Sequence, residues 1–129
     1  MTTRDIAAIA RASYAAYVEK NRRALEALLA DDFHFSSPID NRLDRGTYLE
    51  ICWPNSQNIA KLEILQLVPH GDRVFISYIG QRTDGHQFRN TEIMTIRNDE
   101  IVEVEVYFGW SVPHPAAAGT HLDEATKHP

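Results

Sequence analysis

Two runs of alternating side chains lie within residues 87–110, QFRNTEIMTIRNDEIVEVEVYFGW. Successive side chains of a strand point to opposite faces, so each run has one largely apolar face. A three-residue loop, NDE, pairs the two strands so that Glu92 lies opposite Val106. A two-residue loop would instead place Met94 opposite Glu103, and would bury that acid or expose the valines. The pattern therefore predicts a hairpin with one carboxyl group, Glu92, in the middle of its apolar face.

The preceding strand is predicted to extend the same face. The Asp-Gly dipeptide at residues 84–85 is a strong signal for a two-residue hairpin loop. Counting back from that loop pairs Ser77 with Glu92, so Phe75 and Ile79 join the face that holds the acid. The opposite face is then expected to carry the four side chains of Ile76, Tyr78, Ile93 and Tyr107. That face is more apolar than a solvated surface, which predicts a homodimer formed through it.

Size and composition limit the classes of protein to which this chain can belong. With 129 residues and 43% hydrophobic residues, one globular domain is expected over residues 1–110, followed by a proline-rich tail over residues 111–129. The net charge of −5 disfavours nucleic acid and anionic membranes as partners. Cys52 is the only cysteine, so no disulfide can form within the chain and a cytoplasmic location is expected.

The order of the remaining elements predicts an α+β fold. Three N-terminal helices are expected to pack on the concave face of a curved antiparallel sheet and to leave a pocket between the two layers. We expect no membrane-spanning segment. The predicted helices cover residues 3–20, 22–30 and 47–53, the predicted strands cover residues 33–37, 60–69, 73–83, 87–97 and 101–110, and residues 38–46 are predicted to be a loop.

Two strings resemble a known family. ALLADDFHFSSP at residues 27–38 is similar to the helix-to-strand junction, and VEVYFG at residues 104–109 to the last strand, of the nuclear transport factor 2-like superfamily in its SnoaL-like, ketosteroid isomerase-like and polyketide cyclase-like branch. The resemblance implies a cone-shaped, cystatin-like α-β roll. It also implies that Tyr14 and Glu92 form the catalytic pair that stabilises an oxyanion. The proton-abstracting base of the isomerases would fall at Ser37.

A serine without a basic partner is a poor proton acceptor, so the true ketosteroid isomerase mechanism is disfavoured. Asp40, three residues further on, is a weaker alternative as the base. The expected pocket opens beside two tryptophans, which either line an apolar ligand or pack in the core. The residues predicted to bind the ligand are Asn90, Ser37, Phe35, Trp53, Val106, Phe108 and Trp110.

The sequence thus predicts a protein that binds a small apolar molecule, with acid/base chemistry of the isomerase, cyclase or dehydratase type as the favoured hypothesis. The alternatives are a non-catalytic ligand-binding or sensing domain and a structural dimerisation module. The six histidines show no metal-ligand spacing and no glycine-rich phosphate motif occurs, so neither a metal nor a cofactor is expected.

Overall fold

The computed structural model describes residues 5–123, so the predicted helix start at residues 3 and 4 and residues 124–129 of the predicted tail lie outside the described residues. None of the described helices has the length and apolar character needed to cross a membrane. The helices are α1 (Ile6–Glu19), α2 (Arg22–Leu28) and α3 (Arg45–Ile51), and a 3₁₀ helix covers Trp53–Asn58. The strands are β1 (Leu29–Ser37), β2 (Asp40–Asp44), β3 (Ile59–His70), β4 (Arg73–Arg82), β5 (Gln87–Arg97) and β6 (Glu100–Val112).

The six strands form one sheet in the order β2-β1-β6-β5-β4-β3. The α+β class is confirmed, but the prediction of a wholly antiparallel sheet is wrong, because β1 pairs with β6 in parallel. The predicted loop over residues 38–46 is also wrong, since it contains β2, which pairs with β1. Strand β6 runs to Val112, two residues beyond the expected end of the domain at Trp110.

The helices begin where side chains cap them. The Asp5 carboxylate accepts a hydrogen bond from the Ala7 N–H at the start of α1, and the Asn21 side chain accepts one from the Ala24 N–H at the start of α2. Asp44 caps α3 by accepting a hydrogen bond from the Thr47 N–H, so this helix begins two residues before its predicted start. The helices cover the inner face of the sheet, where the core contains the fully buried Phe33.

The β5–β6 hairpin has the predicted pairing at its centre but a different turn. Glu92 pairs with Val106 as predicted. The loop has two residues, Asn98 and Asp99, both with positive φ (53° and 64°), rather than three. An irregularity between Thr95 and Ile96 shifts the register by one residue. A bulge thus restores the alignment that the longer loop would have given.

The β4–β5 hairpin is offset by one residue from the prediction. Arg82 and His86 close the turn, so the loop includes one residue more than the Asp-Gly pair. Ile76, rather than Ser77, therefore pairs with Glu92. A one-residue offset turns every side chain to the other face. The expectation that Phe75, Ser77 and Ile79 face inward is accordingly wrong, and the inward side chains of β4 are those of Val74, Ile76 and Tyr78.

Candidate functional site

A cavity of about 400 Å³ lies between the helices and the inner face of the sheet. Ile39 and Phe108 both line it and are 81% and 53% exposed, so they mark its mouth. Its apolar walls come mainly from β1, β3, β5 and β6. The apolar lining residues are Leu25, Leu29, Phe33, Phe35, Ile39, Ile59, Leu62, Phe88, Met94, Ile101, Val104, Val106 and Phe108, and the polar or ionisable ones are Ser13, Tyr14, Tyr17, Ser37, Asp40, Tyr48, Cys52, Asn55, Tyr78, Arg82, Asn90 and Glu92.

Glu92 and Tyr14 meet in this cavity. Glu92 is 9% exposed and lies on the inner face of β5, while Tyr14 is 7% exposed and comes from the buried side of α1. The Tyr14 hydroxyl donates a hydrogen bond of 3.2 Å to Glu92 Oε2. Within residues 5–123, the structure shows no hydrogen-bond partner for the second carboxyl oxygen, Oε1. The pair that the sequence predicted is therefore in contact, and one carboxyl oxygen is left for the cavity.

Burial controls the ionisation of this pair. It raises the pKa of Glu92 from 4.5 to about 7, although the hydrogen bond from Tyr14 acts in the opposite direction. Burial also raises the pKa of Tyr14 far above its ordinary value, and the charge of Glu92 adds to that effect. Tyr14 therefore keeps its proton and acts as a donor, whereas Glu92 changes protonation state near neutral pH.

Tyr78 and Asn90 form a second polar contact close to the first. The Tyr78 ring meets the Tyr14 ring edge-on at 5.2 Å, and the Tyr78 hydroxyl accepts a hydrogen bond of 3.2 Å from Asn90 Nδ2. The Gly109 N–H donates to Asn90 Oδ1, which determines the orientation of the Asn90 amide. Asn90 was predicted from its position on the inner face, whereas Tyr78 was missed because of the wrong β4 register.

Ser37 and Asp40 lie together on the cavity wall. The Ser37 hydroxyl donates a hydrogen bond of 2.6 Å to Asp40 Oδ2, and the Ile39 N–H donates to Ser37 Oγ. The position at which the resemblance implies a base thus holds a hydroxyl group that binds a carboxylate three residues further along the chain. The structure places this carboxylate in the same cavity as Glu92.

Tyr17 and Tyr48 form a pair that the sequence did not single out as functional. Their hydroxyl oxygens are 2.6 Å apart, and both side chains line the cavity. Neither residue was among those predicted to bind the ligand, and Tyr48 was not considered. The available signal was the shared helical face of Tyr14 and Tyr17, because residues three apart on a helix point in similar directions.

The two tryptophans do not line the cavity, so their predicted position at its mouth is wrong. Trp53 is 7% exposed and packs edge-on against Tyr17 at 5.1 Å, as part of the core. Trp110 is 50% exposed and lies beside Arg89 and His114. It stands at the end of β6, beyond the part of that strand that faces the cavity. The other predicted ligand-binding residues, Phe35, Ser37, Asn90, Val106 and Phe108, do line it.

The site shows no grouping suited to a metal ion. Within residues 5–123, no three histidine, cysteine, aspartate or glutamate side chains cluster as metal ligands. Cys52 lines the cavity as a thiol, because burial, together with the charge of Asp40, raises its pKa to about 11. The chemistry that the described side chains can supply is therefore hydrogen bonding and proton transfer.

The fold is shared with several solved structures. A candidate ketosteroid isomerase from Kribbella flavida matches with a TM-score of 0.72 and 17% identity over 94% of this chain and 90% of that chain. A candidate polyketide cyclase from Sinorhizobium meliloti matches with a TM-score of 0.67 and 18% identity over 76% of this chain and 92% of that chain. At these identities the likeness shows the fold alone.

A third structure, a protein with a ketosteroid isomerase-like fold from Catenulispora acidiphila in complex with trimethylamine, matches with a TM-score of 0.66 and 21% identity over 84% of this chain and 88% of that chain. The comparison with curated proteins gives no match. The family model for the SnoaL-like domain matches residues 10–104, which include most of helix α1, with Tyr14, and the whole of strand β5, with Glu92. This chain therefore belongs to the SnoaL-like domain family.

Proposed function

We propose that this chain binds a small, largely apolar molecule in the cavity and catalyses a proton transfer on it, as an isomerase, cyclase or dehydratase does. The observation that carries the proposal is the environment of Glu92, a nearly buried carboxyl group in a mostly apolar cavity. One of its oxygens accepts a hydrogen bond from Tyr14, and the other has no partner within residues 5–123. Burial of a carboxyl group is costly, which supports a functional reason for it.

The ionisation of Glu92 suits acid/base chemistry. A general acid or base works best when its pKa lies near the working pH, and the pKa of Glu92 is raised to about 7. Its free oxygen can give a proton to a ligand oxygen or take one from a carbon next to a carbonyl group. In either direction the Tyr14 hydroxyl holds the carboxyl group in position. The apolar lining keeps competing water away from the reacting atoms.

Asp40 is the second carboxyl group that the proposal uses. It lines the same cavity, and the Ser37 hydroxyl binds it at 2.6 Å. A reaction that moves a proton between two atoms of a ligand needs a group at each atom or one group that reaches both. In this proposal Asp40 accepts a proton near the mouth of the cavity, while Glu92 serves the inner end. Ser37 positions Asp40 and is not itself the base.

A non-catalytic ligand-binding or sensing function is the second candidate. It is favoured by the hydrogen bond that Tyr14 donates to Glu92, because a carboxyl group held by a protein group can serve recognition alone. The two functions differ in the fate of the ligand. An enzyme converts the bound molecule to product, whereas a binding domain releases it unchanged.

The proposal includes a homodimer in the cytoplasm. On the outer face of the sheet Phe75 pairs with Ile93, and the 51% exposed Tyr107 lies on the neighbouring strand. Phe75 and Ile79 replace Ile76 and Tyr78 in the predicted patch, which remains partly apolar and is suited to a second copy of the chain. The one cysteine, Cys52, is buried and makes no disulfide, which supports a reducing compartment. A purely structural dimerisation module is less well supported, because it would not need an open cavity lined by two carboxyl groups.

The test begins with native mass spectrometry of the purified protein to identify a molecule that it retains. Turnover and affinity for that molecule are then measured in the wild type, Glu92→Gln and Asp40→Asn. We expect turnover to fall by roughly 10²-fold to 10⁴-fold in Glu92→Gln, the usual range for loss of a general acid or base. Unchanged turnover and affinity in both variants would overturn the proposal. A ligand that binds in a Glu92-dependent way but is never converted would favour the binding domain.

A further inference from the structure

Tyr17 and Tyr48 both line the cavity and form a polar pair through their hydroxyl groups. Within residues 5–123, this pair makes no hydrogen bond with Glu92 or Tyr14. Tyr17 comes from α1 and Tyr48 from α3, and their oxygens are 2.6 Å apart. The Tyr48 ring packs against Phe33 and Phe35, with ring centres 5.1 and 4.9 Å away. Tyr17 packs against Trp53. Aromatic neighbours therefore hold both rings, and the two hydroxyl groups have little freedom to move apart.

One of the two hydroxyl protons at this pair has no acceptor within residues 5–123. Each tyrosine hydroxyl carries one proton, and the single hydrogen bond between Tyr17 and Tyr48 uses one of the two. Within residues 5–123, no other acceptor is in contact with either hydroxyl. An unpaired buried donor costs about 1–3 kcal/mol, so the second proton needs an acceptor from the cavity itself. Water or a ligand oxygen can provide that acceptor.

Both tyrosines stay protonated. Burial raises the pKa of Tyr17 and of Tyr48 well above the ordinary value, and the negative charge of Glu92 raises both further. The same charge opposes an anion at this spot. The acceptor that suits the pair is therefore an uncharged oxygen, as in a ketone, an ether or an alcohol.

We propose that the Tyr17–Tyr48 pair is a second donor site for the ligand, which binds a neutral oxygen at a position different from the one that meets Glu92. This inference rests on the proposed function, since it concerns the same cavity and the same bound molecule. It narrows the ligand class to an apolar skeleton with oxygen atoms in two places. The cavity volume of about 400 Å³ leaves room for a fused two-ring molecule.

The test compares α-tetralone with tetralin, which has the same two-ring skeleton without the ketone oxygen. Binding of both probes is measured by NMR titration. The starting variant is Tyr14→Phe/Glu92→Met, which removes both polar groups of the first site and leaves apolar side chains of similar size. Any remaining preference for the ketone then comes from another donor. Tyr17→Phe, Tyr48→Phe and both together are added to this variant.

We expect the starting variant to bind the ketone about tenfold more tightly than the hydrocarbon, the value of one net hydrogen bond. Each single tyrosine change leaves one hydroxyl with a free proton, so the preference is kept. Loss of both hydroxyls abolishes it. If the hydrogen bond between Tyr17 and Tyr48 had only a structural role, either single change would break it, and the effect of the two changes would be equal. Tryptophan fluorescence and thermal unfolding check that the variants are folded.

The outcomes separate this inference from the proposed function. A ketone preference that survives removal of both Tyr17 and Tyr48 hydroxyls, or is absent from the starting variant, overturns the donor site and leaves the role of Glu92 intact. Failure of both probes to bind the wild type contradicts the apolar ligand cavity itself, and the donor site with it. Loss of binding of both probes in the tyrosine variants would also overturn the donor site, because it would show that the pair maintains the shape of the cavity and does not bind a ligand oxygen.

Discussion

The Tyr14 hydroxyl on α1 donates a hydrogen bond of 3.2 Å to Glu92 Oε2 on β5, and so joins the helical layer to the sheet inside the cavity. The contact links residues that are 78 positions apart in the chain. It holds a carboxyl group whose pKa burial raises to about 7 beside a tyrosine that stays protonated. Helix packing and the proposed acid/base chemistry therefore depend on the same two side chains.

The first prediction concerns the stability of Glu92→Gln as a function of pH. The folded protein binds the Glu92 proton more tightly than the unfolded chain, because the pKa is about 7 in the fold and 4.5 ordinarily. The contribution of this group is fully present below pH 4.5 and is lost as the pH rises through about 7. We expect the free energy of unfolding of the wild type to fall by on the order of 3 kcal/mol across this window, relative to that of the glutamine variant.

Urea unfolding at a series of pH values measures this difference. Subtracting the free energy of unfolding of the glutamine variant at each pH removes the contributions of Asp44 and Asp72. The pKa values of these two groups are lowered in the fold, so their contributions to stability depend on pH with the opposite sign. A constant difference between the two proteins from pH 4 to pH 8 would contradict the raised pKa of Glu92.

The second prediction concerns Tyr14→Phe. The hydrogen bond from Tyr14 lowers the pKa of Glu92 and thereby offsets part of the effect of burial. Removing the hydroxyl is expected to raise that pKa further and to cost roughly 1–3 kcal/mol at pH 8, where the charged carboxylate loses its donor. The cost should shrink at pH 5, where the carboxyl group is protonated. An equal loss of stability at both pH values would mean that the hydroxyl acts only through packing.

The third prediction concerns Gly109→Ala. A Cβ atom at Gly109 would lie 2.1 Å from the Arg89 carbonyl oxygen, so β6 and β5 must separate locally. The Gly109 N–H also orients Asn90, which in turn donates to Tyr78. We expect the change to lower stability by about 1–3 kcal/mol and to weaken ligand binding, measured by thermal unfolding and ligand titration. Gly71→Ala is the control, because no atom lies within 4 Å of a Cβ there, although its φ of 64° adds some strain. Normal ligand affinity in Gly109→Ala would show that Asn90 does not need this contact.

The fourth prediction concerns the proposed dimer. Tyr107→Glu places a third acid beside Glu103 and Glu105 on the outer face of the sheet, where two copies would bring these charges together. We expect sedimentation to show a wild-type dimer at micromolar concentration and a monomeric variant. Ile51→Glu is the control, since Ile51 is 56% exposed on α3 and lies away from this face. A monomeric wild type, or a dimer that survives Tyr107→Glu, would rule out this interface.

The central hairpin shows how far local patterns predict structure. The placement of Glu92 opposite Val106 follows from the apolar face of β6, since any other register would bury an acid or expose valines. The turn itself was mispredicted, because Asn98 and Asp99 adopt positive φ in a two-residue loop and a bulge corrects the alignment. A strong preference for one buried face thus determines the register even where the loop length is misjudged.

The β4 strand shows where the same reasoning fails. Both of its faces carry large apolar side chains, with Ile76 on the inner face and Phe75 and Ile79 on the outer one. Alternation therefore does not distinguish the faces, and a one-residue error in the loop exchanged them. For that reason Tyr78 was not predicted to lie on the inner face. The parallel pairing of β1 with β6 was also missed, because it joins distant segments and leaves no local signal.

Only part of the candidate site was predicted from the sequence. Tyr14 and Glu92 follow from residue type, register and family resemblance, and the structure brings them together. Tyr48 was not considered, because nothing in the residues around it indicates that its side chain lines a cavity. Its contact with Tyr17, on which the proposed donor site depends, is set by how α3 lies against α1, and only the packed structure shows this.

The most direct test of this account is an NMR titration of the side-chain carboxyl carbons, with the Glu92 signal assigned by its absence in Glu92→Gln. The account predicts a midpoint near pH 7, with a further rise in Tyr14→Phe. A midpoint near 4.5, the ordinary value, in both proteins would show that Glu92 is a solvated carboxylate, and would contradict its role in proton transfer.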